Sequence, residues 1–169
     1  MDAADEYLSD IRDQFAKVKQ LAEGALTQVP DEDLLVTLDP ESNSLAILVQ
    51  HMAGNLRSRF TDFLTTDGEK PDRNRDGEFD IGVRADRAAL MAQWERGWSV
   101  LFATLDALTP ADLLRDVYIR GHRHSVIQAL QRALGHQSQH AGQIVFLAKH
   151  LRSADWKTLS MPRRRTRYE

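Results

Sequence analysis

Four stretches of this sequence place residues on one side at helical spacings, built from steps of three and four. That period commits each of them to one side of an α-helix. The first carries Leu8, Ile11, Phe15, Val18, Ala22, Ala25 and Val29. The second carries Leu45, Leu48, Met52, Leu56, Phe60 and Phe63, and the third Met91, Trp94, Trp98, Leu101, Leu105 and Leu108. The fourth runs from Val126, Leu130 and Ala133 to His140, Ile144, Leu147 and Leu151. The helices expected from these stripes span 3–28, 43–65, 83–108 and 125–151. Together they take well over half the chain, against roughly a third in an average globular protein. Four amphipathic helices of similar length imply an all-α four-helix bundle.

Local signals mark the boundaries. Pro30 and Pro40 bracket the first connection, and Ser42 or Asn43 can cap the second helix. Thr109-Pro110-Ala111-Asp112 reads as a capped helical turn with Pro at its first position. Residues 116–125 alternate Val117 and Ile119 with polar neighbours around Gly121, the pattern of a short hairpin before the last helix. The connection 67–82 is long for a bundle and holds six acids and three bases. It is either a solvated loop or one folded back on the bundle by Arg–Asp pairs, with Asp62, Arg73 and Arg75 as the candidates. The chain divides into a bundle domain, 1–155, and a basic tail, 156–169, in which Arg163, Arg164, Arg165 and Arg167 cluster.

Composition narrows the function classes. The chain has 22 Lys+Arg against 25 Asp+Glu, too near neutral for a protein that mainly coats a polyanion, and nucleic acid is not an expected partner. There is no cysteine, which removes disulfides, thiolate-bound zinc, iron–sulfur clusters and any protein thiol nucleophile. The longest apolar run is Leu45–Val49, far short of the ~20 residues of a membrane span. The opening Met-Asp-Ala-Ala-Asp-Glu has none of the basic and apolar regions of a secretion signal. A cytoplasmic protein is expected.

Histidines carry the chemistry. His136 and His140 lie four apart, which puts their Cβ atoms ~5–6 Å apart on one helix face. His140 falls in the apolar stripe itself, and two imidazoles aimed into a bundle can clamp one metal ion. His51 shares a strip of small polar groups with Ser44, Asn55, Ser58 and Asp62, beside the core stripe of its helix. Facing the pair, it would complete a three-nitrogen site. A lone His pair also arises by chance, and buried histidines are commonly just hydrogen-bonded, so spacing leaves both readings open. His122 and His124 read as a surface turn, and His150 as a cation at a helix C-terminus. Gly54, Gly97 and Gly142 stand inside helices, each costing about 1 kcal/mol relative to Ala. Close helix packing or a place at the site would account for them.

Other chemistries are disfavoured. No His-Glu-x-x-His supplies a metalloprotease base, and no paired Glu-x-x-His motif supplies a di-iron centre. There is no phosphate-binding Gly loop, no dinucleotide fingerprint and no serine elbow.

Two motifs now stand out: Gln-His-Met-Ala-Gly-Asn around His51, and Gly-His-Gln-Ser-Gln-His-Ala-Gly-Gln-Ile over residues 135–144. With them the chain resembles the DinB/YfiT-like family of metal-binding four-helix proteins, over residues ~5–151. That family places one His on the second helix and a His-x-x-x-His-x-Gly-Gln-Ile run on the last. The segments Arg59–Pro71 and Arg73–Asp76 look like one uncharacterised branch of it. The resemblance implies His51, His136 and His140 as ligands of one divalent ion, zinc or nickel. It also implies a homodimer and a small-molecule substrate. Characterised relatives transfer or isomerise with low-molecular-weight thiols, so a metal-dependent thiol S-transferase is one expectation, a hydrolase another, and a non-enzymatic stress-related or interaction bundle the alternative. Asn55 and Gln143, one turn from ligands, are the candidates for catalytic or supporting contacts. Trp94, Trp98 or Phe79 would serve a dimer surface, although core packing accounts more simply for the two tryptophans.

Overall fold

The computed structural model describes residues 2–80 and 86–161. The basic cluster Arg163–Arg167, and the start of the third expected helix at residue 83, lie outside them. Among the described residues the chain forms four α-helices: α1 (Ala3–Leu26), α2 (Leu45–Phe60), α3 (Arg87–Ala107) and α4 (Val126–Arg152). The architecture is the expected all-α four-helix bundle. None of these helices is long and apolar enough to cross a membrane.

Each helix starts on a side-chain cap. The Asp2 carboxylate accepts from the backbone of Ala4 and Asp5 at 2.8 and 2.9 Å. Asp86 caps Ala89 at 3.1 Å, and Ser125 forms a reciprocal box with Gln128. For α2 the cap is Ser44, whose hydroxyl accepts from Ile47 N–H at 3.3 Å, and neither Ser42 nor Asn43. That helix also ends three residues short of Phe63, the last member of its apolar stripe, and five short of its expected end at 65. Thr61 turns extended and Asp62 takes a left-handed φ of 49°, a conformation Asp tolerates better than most residues. Asp62 therefore turns the chain here, and Phe63 reaches the core from the turn and not from the helix.

The helices pack most extensively as two pairs, α2 on α3 and α1 on α4. Phe15, Trp98 and Phe60 meet edge to face at the centre. Trp94 and Trp98 are fully buried, so both serve the core and neither offers a surface for pairing. Gly97 lets α3 close on α2: a Cβ there would lie 2.7 Å from Ala53 O and 2.9 Å from Ala53 Cα. Gly142 has no such neighbour, and close packing does not explain it.

The expected hairpin forms from β1 (Asp116–Ile119) and β2 (His122–Ser125), antiparallel, with Ile119 opposite His122. Its two-residue turn, Arg120-Gly121, has φ of 56° and 73°, a pair of left-handed residues whose twist suits a tight hairpin. The Asp67 carboxylate accepts from the backbone N–H of both turn residues at 2.8 and 2.7 Å. Gly68 N–H donates to Tyr118 O at 2.7 Å. The long connection is thereby tied to the hairpin at its start. It then runs along α2, where Gln50 donates to Gly77 O at 3.0 Å. Its shortest ion pairs join arginines to Glu69 and Glu78, and one pair of the expected Arg–Asp kind, Arg57–Asp72 at 3.6 Å, ties it to α2.

Candidate metal centre

His51 projects from the middle of α2, and His136 and His140 from successive turns of α4. The three rings form one cluster: centroids are 5.1 Å apart for His51–His136, 5.0 Å for His51–His140 and 4.5 Å for His136–His140. One ring nitrogen from each lies within 4.8 Å of the other two, an arrangement that could hold a metal ion. His51 is buried and the α4 pair half-buried. The cluster joins one helix from each packed pair.

Hydrogen bonds select which nitrogen faces the centre. In the neutral imidazole the Nδ1–H of His51 donates to Glu78 Oε2 at 2.9 Å, which leaves Nε2 as the acceptor. The Nδ1–H of His140 donates to Gln143 Oε1 at 2.7 Å, with the same result. His51 Nε2 and His136 Nε2 approach to 3.2 Å. Two bare lone pairs repel at that distance, so one proton or one cation has to lie between them. The spacing also suits ligands of a tetrahedral ion: zinc–nitrogen bonds of 2.0–2.1 Å put neighbouring nitrogens about 3.3 Å apart.

Burial disfavours the charged form of both α4 histidines. Burial, then the nearby His140, His51, Arg73 and Arg59, pushes His136 down to about 3. Burial also lowers His140, against the bond to Gln143. Glu78 goes the other way from a typical buried acid. Burial alone would raise it, but bonds from His51 and Arg73 outweigh that and hold it below the ordinary glutamate range. The Arg73 side chain is 3% exposed and grips both Glu78 oxygens, at 2.8 and 2.9 Å. The chain of contacts therefore runs from Arg73 through Glu78 to His51. Such carboxylate–histidine pairs orient metal ligands and fix their tautomer.

The cluster contains all three sequence-predicted ligands. Gln143 holds His140, and Asn55 lines the adjoining cavity, accepting from Gln137 Nε2 at 3.4 Å. Arg75 sits over the Phe79 ring at 5.9 Å, and Phe79 packs on His51 at 5.2 Å between centroids. His122 and His124 lie on the hairpin outside the cluster, and His150 is exposed in the last turn of α4. Sequence reasoning missed Glu78 and Gln137. Nothing distinguished Glu78 from five other acids in its loop, although Gly54 held a clue. A Cβ at Gly54 would collide with the Glu78 carboxylate, so that glycine is the opening through which the acid reaches α2. Gln137 is fully buried inside the His motif, and its Nε2 also lies 3.5 Å from His136 Nδ1.

Beside His51 and His136 opens a cavity of about 200 Å³, walled by Phe60, Phe63, Ala129 and Ala133 on its apolar side. A family model described as "Protein of unknown function (DUF1572)" matches residues 2–165, and the chain belongs to that family. No curated protein matches it.

Proposed function

We propose that His51, His136 and His140 of this DUF1572 member bind one divalent ion, zinc or nickel, and that the site transfers a small cofactor thiol to an electrophile. The observation that carries the reading is the convergence of three nitrogens, with Nε2 left bare on His51 and His140, beside a cavity that opens on two of the rings. The DinB/YfiT-like motifs around His51 and over residues 135–144 supply the same three residues in the same order. Three imidazole ligands leave a four-coordinate ion one open position, as catalytic sites do. When bound, the ion supplies a Lewis acid that makes a thiol or water easier to deprotonate.

The chain's own part is positional. Glu78, backed by Arg73, sets the tautomer of His51, and Gln143 sets that of His140. Phe60, Phe63 and the two alanines exclude water from one side of the cavity. With no cysteine in the chain, the sulfur has to come from a cofactor. In the net reaction the thiol's proton passes to solvent, its sulfur bonds an electrophilic carbon, and the leaving group departs from that carbon with its bonding pair.

Metal content of protein purified without chelators tests the binding: about one ion per chain in the wild type, and much less in His51→Ala, His136→Ala and His140→Ala. Equal, negligible metal in all four rejects the site. Activity has its own test, in which metal-loaded protein is mixed with several small thiols and a chloronitroaromatic. No acceleration with any thiol rejects the transferase. One observation favours a structural ion instead: Glu78 links His51 to the long connection, so a bound ion would stiffen that loop. A bound ion that raises the melting temperature while no thiol reacts supports that alternative.

A further inference from the structure

The cavity beside the three-His cluster has an uneven charge. Its lining contains five arginines, Arg59, Arg73, Arg75, Arg120 and Arg132, and no carboxylate. This is a local excess in a chain whose net charge is −3. Three of the five are engaged nearby. Arg59 and Arg120 both pair with Glu69, and Arg73 pairs with Glu78. Two acids therefore serve three guanidinium groups. Among the described residues Arg75 and Arg132 have no ion-pair partner, and both are exposed although they line the cavity, which places them at its rim.

We propose that this cavity binds a small organic carboxylate, with its anionic end between Arg75 and Arg132 and its apolar body against Phe63, Ala129 and Ala133. The arginine fork matches a carboxylate's two oxygens, and unpaired guanidinium groups at a cavity mouth draw anions in. The apolar wall selects against a bare inorganic anion. The volume is below the ~300–1,000 Å³ of drug-sized sites, so the ligand is a compact metabolite. Its other end then faces His51 and His136. In naming that end the reacting one, the inference rests on the proposed metal-dependent activity, but the anion contact needs no ion.

The test is calorimetric titration of the full chain, metal-loaded, with benzoate, its neutral analogue benzyl alcohol, and inorganic phosphate. Benzoate is expected to bind, and the other two much more weakly. Arg75→Gln/Arg132→Gln, checked for retained helix by circular dichroism, should weaken benzoate by about tenfold or more, the effect of losing charged hydrogen bonds. Benzoate binding to a wild type that takes up no metal supports the anion site while rejecting the metal reading. Equal binding of benzoate and benzyl alcohol overturns the proposal, as does benzoate binding unchanged in the double arginine variant, which would mark the ion or another surface as its seat. Phosphate binding as tightly as benzoate overturns the organic ligand class.

Discussion

Glu78 reaches His51 across a gap in α2 that exists because residue 54 has no side chain. A Cβ at Gly54 would sit 2.9 Å from the Glu78 carboxyl carbon and closer still to its oxygen. Gly54→Ala should therefore act on the metal centre through the carboxylate, even though Ala favours the helix by about 1 kcal/mol. The expected result is a loss of roughly 10–100-fold in zinc affinity, the usual effect of removing a ligand's carboxylate partner. Competition with a chromophoric chelator measures it. Unchanged affinity would show that Glu78 does not support the site.

Gly97→Ala separates packing from chemistry. Here the added methyl meets backbone atoms of Ala53, which cannot rotate aside. The helices α2 and α3 have to part, and the expected destabilisation is about 1–3 kcal/mol, typical of overpacking. Urea unfolding of the metal-free protein checks it.

Metal removal should leave the bundle folded. The core of Phe15, Trp94, Trp98 and their neighbours is buried independently of the histidines. Chelation is expected to preserve the helical circular dichroism while lowering the melting temperature. Free ion at a hundred times its Kd stabilises by about 2.7 kcal/mol, and that is the margin lost. Collapse of the helical signal on chelation would make the ion a folding requirement.

Asp112 offers a pH test away from the site. Its carboxyl is held at about 2 by Arg115, then by the hydroxyl and backbone of Thr109. A carboxyl lowered on folding stabilises in full above its ordinary value of 3.8, and that contribution disappears as pH falls through about 2. Wild type should be more stable than Asp112→Asn at pH 7, and the gap should close between those two values. Urea midpoints for both proteins along that range decide it; a constant gap would assign the difference to something other than charge.

Much of this arrangement was legible in the sequence, and the reasons are local. Apolar periodicity places the helices because a 3.6-residue repeat buries one face and no other. It cannot show where a left-handed Asp62 ends α2 ahead of its stripe. The His136/His140 spacing fixes two ring positions through helix geometry alone, and His51 was marked by its polar strip. Glu78 and the places of Arg73 and Arg75 at the cavity, which stood out only as candidates for ordering the loop, were not legible. They depend on how a long connection lies against α2, which is set by contacts distant in sequence, such as Asp67 with the Arg120-Gly121 turn.

The pairing of the helices has a consequence for the His cluster. One ring rides with α2 and α3, the other two with α4 and α1, so the rings straddle the seam between halves that are each packed more closely within themselves than to one another. A slide of one half along the other changes ring separations and shears the Phe15–Phe60–Trp98 contact with them. An occupant that grips all three rings acts as a rivet through that seam, and the spacing of the rings is a gauge of how the two halves are seated.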